Sequence, residues 1–530
     1  MTSHTQRARD ALKASAAHRA AAYSGKTRIV VQVGHCSSSV DSVQVAEALA
    51  SQAPDSAYIV TAGCDGDCYD APRVVVTAPD GARSVFGGVT TKDARRILES
   101  TSLPKQNGAT PPYAGQHRVV LHGCGEIALT SIDEYLLTGG YAGLAKALGA
   151  PQEKVIDEVK ASGLLGRGGA YFPAAMKWES ARKFPSPDRY VVVNCEEGEP
   201  GIFKDRHLME GVPHRIIEGA LIAAYAAGVN SIYIYINAEA ELSTQRMQQA
   251  VDQAAQAGII GEDVLGSGYN VSVTVRRGAG GYVCGEETTL LNTMEGDRRE
   301  PRLRPPFPTE AGLFGRPTVI NNAETLASVP VIMAHGAAAF AETGSEKATG
   351  TKVISLSGSV ERPGVVEVPM GTTLREIVFG LGGGIVGGKA IAGVAVGGPS
   401  SGVLPESMLE SAIAPGMLHE SGVMLGAGGV IALDENVDVL EAVRSLAKYN
   451  ADESCGKCRA CREGTPRIVN ALDRLLSGAG SSGDLDELRE LAEVVGAASL
   501  CGLGQAAGGP INSALHFFGN ELAALARSKI

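Results

Sequence analysis

Short apolar runs bounded by glycine, proline and charged residues alternate with stretches of helical spacing along most of the chain. After an opening stretch rich in Arg and Ala, TRIVVQVGHC reads as a strand delivering Cys36 and DSVQVAEALASQ as a helix. YIVTAGCDGDC reads as a second strand ending at Cys64 and Cys68, RVVVTAPDG as a third, and VTTKDARRILES as a closing helix. The Pro- and Gly-rich KQNGATPPYAGQ reads as a linker. From about Arg118 to Thr343, runs such as RYVVVN and SIYIYIN alternate with helical stretches such as IIEGALIAAYAAG, the pattern of a layered α/β domain. TKVISLSGSVERPGVVEVPMGTTLREIVFGLGGG predicts two short strands, a turn and a helix, a compact β-grasp-like module. From about Glu435, LEAVRSLAKYNADES, PRIVNALDRLLSG and LDELRELAEVVGAAS carry apolar residues at helical spacing and predict a helical bundle.

Composition narrows this picture. A chain of 530 residues is long enough for several cores. Its formal charge of -11, with acidic residues dispersed and no long basic run, argues against a nucleic-acid binder held by phosphate contacts. The ten cysteines cluster in CxxCxxC and CxxxC patterns, which suits a reducing compartment better than a disulfide framework. The N-terminal stretch lacks the apolar core of a secretory signal. Its Arg and Ala content mimics an organelle transit sequence, but a solvated tail or a docking helix is the reading preferred. The most apolar helical run, Ile216 to Val229, is interrupted by Glu218 and falls short of the roughly 20 residues that a membrane span needs. The expectation is a soluble cytoplasmic protein.

The densest chemical signal is ESCGKCRACREGT followed, after a long helical excursion, by SLCGLGQ. Cys455, Cys458 and Cys461 can surround the end of a helix while Cys501 closes the set, the ligand pattern of a 4Fe-4S cluster. A four-thiolate zinc site is the alternative, although structural zinc more often uses two separated CxxC knuckles. A cluster passes single electrons.

Four further segments concentrate glycine and carboxylate. GLLGRGGAYFPAAMKWE places glycines at 163, 166, 168 and 169 ahead of a helix, letting backbone N–H groups approach a planar or phosphorylated ligand. It matches neither standard nucleotide fingerprint, and a ligand-free turn is an equal reading. VVVNCEEGEPGIFKDRHLMEG sets Asn194, Glu196, Glu197 and Glu199 directly after an apolar strand, where ligand groups collect in α/β folds. Lys204, Asp205 and Arg206 equally allow a solvated, ion-paired loop there. GAGGYVCGEETTLLNTMEGDRREPRLRPPFP adds Glu286, Glu287, Arg304 and Phe307, and PTVINNAETL opens a helix with Asn321, Asn322 and Thr325, which can meet a phosphate.

Together, in this order and spacing, these segments resemble the flavin-bearing, NADH-binding subunit of respiratory complex I and its relatives in NAD-reducing hydrogenases and NAD-dependent formate dehydrogenases, from about Arg118 onward. The resemblance implies FMN held by Gly166, Arg167, Gly168, Lys177, Asn194, Glu196, Gly285 and Glu286, with Asn321, Asn322 and Thr325 towards its ribityl phosphate. It implies NAD(H) stacked over the flavin, with Phe172 and Phe307 flanking the adenine and Glu199, Glu287 and Arg304 on the nucleotide. It implies a 4Fe-4S cluster on Cys455, Cys458, Cys461 and Cys501. Tyr171 stands where this family commonly has Gly, Glu196 where Asp is usual, Arg304 where Lys is usual, and Ser180 where complex I enzymes can place a third aromatic. Tyr171 is expected to add bulk beside the nicotinamide-facing loop, and Arg304 offers a planar fork in place of a point charge.

The N-terminal unit resembles the thioredoxin-like ferredoxin domain that accompanies the family. It keeps only Cys36, Cys64 and Cys68; Ser37 to Ser39 and Asp41 occupy the region of the other ligand. A cluster-free docking domain is expected, with a 2Fe-2S cluster completed by an oxygen ligand as the alternative. Cys124, Cys195 and Cys284 have no ligand spacing and read as buried small residues. The expected architecture is α/β and multidomain: a tail over 1–25, a thioredoxin-like domain over 26–105, a Rossmann-like FMN- and NAD(H)-binding domain over 106–345, a β-grasp-like (SLBB) domain over 346–437, and a helical bundle carrying the iron-sulfur cluster over 438–530.

A nicotinamide moves two electrons as hydride and a cluster moves one, and flavin accepts both, so no catalytic triad or acid–base pair is expected. The fused thioredoxin-like domain argues against the plain complex I subunit. The chain also ends soon after Cys501, without the ferredoxin-like extension of bifurcating hydrogenase relatives. The resemblance therefore points to the beta, or diaphorase, subunit of a soluble molybdenum- or tungsten-containing formate dehydrogenase. Its partners would be a catalytic subunit and a small 2Fe-2S ferredoxin-like subunit. The diaphorase subunit of an NAD-reducing hydrogenase, the NADH-oxidising subunit of complex I and a non-catalytic docking scaffold are the alternatives.

Overall fold

Tyr190–Cys195, Ser231–Ile236, Ser272–Arg277 and Thr318–Asn322 form a parallel four-stranded sheet in a computed structural model that describes residues 3–99, 115–416 and 418–527. Of the linker expected over 105–116, only Gly115 and Gln116 lie within the described residues. Parallel sheets are covered on both faces, and Val191, Val192 and Val193 are accordingly fully buried in succession. The spatial order runs 272–277, 231–236, 190–195, 318–322. The winding therefore reverses between the strands 190–195 and 318–322, and at such a switch point the carboxyl ends of the strands open a crevice. Asn194 and Cys195 end one strand there, and Asn321 and Asn322 the other.

Helix Pro213–Ala227 backs this sheet and is almost wholly buried. Its Glu218 accepts from Tyr135 Oη (2.6 Å) and from the backbone N–H groups of Tyr141 (2.8 Å) and Leu144 (3.1 Å), so the charge that interrupts the apolar run satisfies the start of the helix Ala142–Leu148. Burial raises this carboxyl despite those donors.

The first unit has four strands rather than three, in the order 57–62, 27–32, 73–77, 83–86. The first pair is parallel and the other two are antiparallel. The added strand, Arg83–Phe86, is too short and too exposed to register as an apolar run. Ahead of this unit, the opening stretch forms the helix His4–Ala20, docked on the α/β domain. Polar groups hold it: Arg9 donates to Leu136 O and Gly140 O at 3.1 Å each, and Thr5 Oγ1 donates to Ala145 O at 2.7 Å.

The β-grasp-like region builds a five-stranded sheet, ordered 364–369, 351–358, 429–434, 391–396, 402–404. Only the first two strands were expected, and the expected helix is a short π-type run, Glu376–Leu381. Helices Val439–Asp452, Arg459–Leu476, Ser482–Ala498, Gly509–Phe517 and Gly519–Arg527 follow. They pack around Val443, Leu472, Leu488 and Val495. No helix among the described residues is long and apolar enough to cross a membrane.

Arg9→Ala removes the charged donor from the buried Gly140 carbonyl and one of the donors to Leu136 O, so it should lower unfolding stability by about 1–3 kcal/mol and expose the first helix to limited proteolysis. An unchanged urea midpoint and cleavage pattern would contradict this docking.

Candidate functional site

The crevice at the switch point is assembled from all four glycine- and carboxylate-bearing segments. Asn194 Nδ2 donates to Gly285 O (2.9 Å) while its Oδ1 accepts from Glu196 N (3.0 Å). Asn322 Nδ2 reaches Asn194 O (3.3 Å), and its Oδ1 caps the helix Ala323–His335 by accepting from Glu324 N (3.0 Å). The positive end of that helix therefore points at the crevice, a setting that favours an anion. On the glycine loop, Arg167 N donates to Thr325 Oγ1 (2.8 Å). A Cβ on Gly168 would stand 3.0 Å from Asn322 Cβ, so glycine is needed for this close approach.

Two residues of the glycine loop take unexpected postures. The Arg167 guanidinium is buried and donates to Leu165 O (3.0 Å), Thr349 O (2.6 Å) and Thr351 O (3.0 Å), fastening the glycine loop to the β-grasp sheet. Tyr171 has φ of 53°, the left-handed conformation in which glycine is at ease. Its ring does not add bulk beside the loop: it is buried in the β-grasp core, with Oη donating to Gly426 O (3.1 Å). Asn321 Oδ1 is held by Trp178 Nε1 (2.8 Å), and Ser180 Oγ by Thr309 (3.0 Å).

The carboxylates divide into two groups. Glu286 caps the helix Glu287–Glu295 by accepting from Thr288 N and Thr289 N, and also pairs with Arg304. Glu287 pairs with Lys177 (2.8 Å) and Arg304 (3.2 Å); burial resists its charge, but these two cations hold it below the usual range. Phe172 and Phe307 leave 47% and 48% of their surface open. In the other group, burial pushes Glu196 up to about 8 and Glu199 up to about 7. Burial and the nearby Asp205 push Glu197 up to about 7. Asn237 donates to Glu196 Oε1, whereas Glu196 Oε2 is buried without a partner. Glu199 accepts from Tyr282 Oη (3.5 Å) and from Ser400. The glycine cradle and the helix N-terminus fit a flavin's phosphate ester, and the unpartnered Glu196 Oε2 is left for a polar edge of the flavin.

The four C-terminal cysteines line one pocket with Val283, Ser454, Ser499, Leu503 and Gly504. Cys458 caps the helix Arg459–Leu476 and Cys461 lies in its first turn, so the triplet does surround a helix end. Leu500 N donates to Cys458 Sγ (3.2 Å), Ser454 Oγ lies 3.2 Å from Cys461 Sγ, and the N–H groups of Leu503 and Gly504 face Cys501. Ser499 Oγ is buried with no partner. One tetrahedral zinc ion would draw thiolates to about 3.8 Å apart, given Zn–S near 2.3 Å. A multi-iron cluster instead spreads its thiolates over several irons, which three closely spaced ligands and a remote fourth lining one pocket allow. Val283 borders this pocket while Gly285 and Glu286, two and three residues on, border the flavin crevice.

Beyond Lys204 and Asp205, several residues in the site were not singled out. Lys204, Asp205, Glu324 and Lys352 form a buried network in which Lys204 contacts Asp205 (2.7 Å) and Glu324 (2.9 Å), and Lys352 contacts Glu324 (2.6 Å). The stretch read as a possible solvated loop is thus the buried helix Lys204–Gly211, whose first N–H groups are taken by Glu197 (2.8 and 2.9 Å). Burial opposes the Lys204 charge, but Asp205 and Glu324 outweigh it and raise that group; burial lowers Lys352 to about 7. Tyr449 and Glu453 were likewise missed: Tyr449 Oη donates to Gly198 O (2.6 Å), and Glu453 accepts from Tyr282 N (2.9 Å). Lysines read as surface, so only pairing across three segments could have signalled the network. In the first unit the Cys36 and Cys64 thiols both contact Cys68, and Cys124, Cys195 and Cys284 are buried as expected.

Glu196 has a folded value near 8 against an ordinary 4.5, so between these values the folded state binds more protons than the unfolded. Its contribution is therefore fully present at low pH and is lost as pH rises towards about 8. In FMN-depleted protein, Glu196→Gln should flatten the fall in unfolding stability between pH 5 and 8. An identical slope in both proteins would contradict the burial of this carboxyl.

Comparison with known proteins bears on both pockets. The Nuo51 FMN-binding domain matches residues 159–331, the SLBB domain 353–404, and the NADH-ubiquinone oxidoreductase-F iron-sulfur binding region 441–525. NADP-reducing hydrogenase subunit HndC of Solidesulfovibrio fructosivorans is 42% identical over 413 residues, covering 78% of this chain and 84% of that protein. The second of the F-type NADH-quinone oxidoreductase subunits of Rhizobium meliloti (strain 1021) is 43% identical over 394 residues, covering 74% and 94%. A chain of an NAD+-reducing [NiFe]-hydrogenase crystallised in the H2-reduced state superposes with a TM-score of 0.69 at 28% identity, over 94% of this chain and 84% of that one. With the flavin crevice and the cysteine pocket joined by one short segment, the chain belongs to the complex I 51 kDa (Nuo51) family of NADH-oxidising, diaphorase-type subunits that carry FMN and a 4Fe-4S cluster.

Proposed function

We propose that this chain is the NAD+-reducing beta subunit of a cytoplasmic molybdenum- or tungsten-containing formate dehydrogenase, working with a formate-oxidising catalytic subunit and a small 2Fe-2S ferredoxin-like subunit. The observation that carries the diaphorase part is the segment 282–287, which borders the cysteine pocket at Val283 and the flavin crevice at Gly285, Glu286 and Glu287. The formate part is supported by the resemblance to formate dehydrogenase relatives, while the four-stranded unit fused ahead of the flavin domain argues against the plain complex I subunit. A second reading, the diaphorase subunit of an NAD-reducing hydrogenase, is favoured by the likeness over 94% of this chain to the NAD+-reducing [NiFe]-hydrogenase.

Bound FMN would supply the exchange between a hydride's electron pair and single electrons. The chain's residues would bind and orient. Gly166 and Gly168 let the backbone approach the ligand, Arg167 fastens that loop from behind, and Asn321, Asn322 and Thr325 present a helix N-terminus to the ribityl phosphate. Asn194 and Gly285 fix the crevice wall. Glu196 holds a proton at neutral pH, and because Oε1 accepts from Asn237 that proton sits on Oε2, ready to be donated to a flavin acceptor. Lys177 and Arg304 hold Glu286 and Glu287 for ribose hydroxyls, Phe172 and Phe307 cover the adenine and exclude water, and Glu199 orders the far wall through Tyr282. Cys455, Cys458, Cys461 and Cys501 hold the cluster, with the N–H groups of Leu500, Leu503 and Gly504 available to stabilise its charge.

The chain purified with its native partners should reduce NAD+ with formate. Reduction with hydrogen and not formate would assign the second reading, and an isolated chain that releases no flavin and reduces no dye with NADH or NADPH would leave only a docking scaffold. Cys458→Ser or Cys501→Ser should remove cluster iron and cut partner-linked turnover by more than an order of magnitude, with NADH–dye reduction partly retained. Loss of all NADH oxidation with FMN still bound would contradict a cluster downstream of flavin.

A further inference from the structure

Where the loop after Leu409 of the β-grasp sheet meets the helix Gly509–Phe517 of the bundle, three ligand-type side chains converge outside both cofactor pockets. One ligand atom from each of His419, Glu420 and His516 lies within 4.8 Å of the others. The two imidazoles meet edge-on with centroids 4.8 Å apart, and the Phe517 ring packs against both, at 4.8 Å from His419 and 4.6 Å from His516. No step of hydride or electron transfer uses any of these groups.

The three residues are held from behind. Leu418 N donates to Val423 O (2.6 Å) and Gly422 N to His419 O (3.1 Å), closing a turn in which Gly422 takes φ of 91°. Leu418 packs on the β-grasp core. The buried Ser421 meets His419 Nδ1 through its backbone N–H and its hydroxyl, each at 3.1 Å, which fixes the ring and leaves Nε2 as the free ligand atom. Phe517, next to His516, packs against both the β-grasp and the bundle cores. Each ligand therefore sits on backbone already committed to its domain.

Two imidazoles and one carboxylate are a donor set for a borderline divalent ion, with water in the remaining position, and hold too little oxygen for calcium or magnesium. At metal–ligand distances near 2.0–2.2 Å, tetrahedral ligand atoms stand about 3.3–3.6 Å apart. A rotation of the exposed Glu420 and His516 side chains closes the remaining gap. We propose that His419, Glu420 and His516 form a zinc-class divalent metal site that clips the β-grasp domain to the cluster-bearing bundle.

The test uses the full chain carrying FMN and cluster, equilibrated with chelator-buffered zinc, with zinc, iron and FMN counted per chain and the thermal midpoint recorded. The expected result is one zinc per chain and a raised midpoint. Both should be lost in His516→Gln and in His419→Gln with iron and FMN unchanged, and both should be retained in a Cys36→Ser control. If a histidine variant loses iron or FMN, the exposed Glu420→Gln carries the test, with zinc affinity expected to fall at least tenfold. Equal zinc binding in the His419→Gln, His516→Gln double variant, unchanged affinity in Glu420→Gln, or zinc lost on Cys36→Ser would each overturn the proposal.

Discussion

Electron transfer between a flavin and an iron-sulfur cluster weakens steeply with distance, so two domains with separate cores must be pinned together within a few residues of chain. The pin here is Tyr282. Its N–H donates to Glu453 (2.9 Å) on the bundle, its hydroxyl lies 2.7 Å from Ser400 Oγ on the β-grasp domain, and its ring meets Tyr449 edge-on at 5.7 Å. Asn450, on the same helix as Tyr449, donates to Pro399 O (2.7 Å), and Lys457, beside the cluster cysteines, donates to Pro301 O (2.8 Å). Three domains thus close on one segment, and Val283 and Glu286 are carried to the two pockets by the backbone between them.

A second set of contacts sets the other side of the crevice. Lys204, Asp205, Glu324 and Lys352 are charges withdrawn from water, and such groups persist only when mutually paired. They sit on the helix after the carboxylate loop, on the helix after Asn322 and on the first β-grasp strand, so pairing fixes three elements at once. Removing one partner would leave a buried charge, typically costing about 3–5 kcal/mol, whereas replacing the network by apolar groups could cost little. The network therefore acts on arrangement: Lys204 reaches Asn322 Oδ1 (3.3 Å) and Asp205 accepts from Asn322 Nδ2 (2.5 Å), which orients the residue that caps the helix facing the crevice.

The parallel sheet and the bundle were legible because Val191–Val193 and the helical stripes of 439–498 bury what their apolar spacing advertises. The cysteine quartet was legible because ligand spacing is local chemistry. The strands 391–396, 402–404 and 429–434 were missed because short apolar runs buried on both faces carry no alternation, and periodicity alone does not separate them from buried helix or loop. Tyr171 was misjudged for a related reason: its identity suggests bulk, but only backbone conformation reveals that the ring turns into the β-grasp core. Lys204 lies in a stretch that equally allows a solvated, ion-paired loop, and only the tertiary structure shows that it is buried against Glu324.

The central claim is that electrons from the nicotinamide reach the four-cysteine site only through the flavin crevice. The most direct measurement is anaerobic rapid mixing of NADH with the chain, holding FMN or depleted of it, with the cluster's reduction followed by low-temperature EPR. The account predicts cluster reduction by NADH in the FMN-loaded chain, and none in the FMN-depleted chain even though dithionite still reduces its cluster. Reduction of the cluster by NADH in the FMN-depleted chain would contradict it.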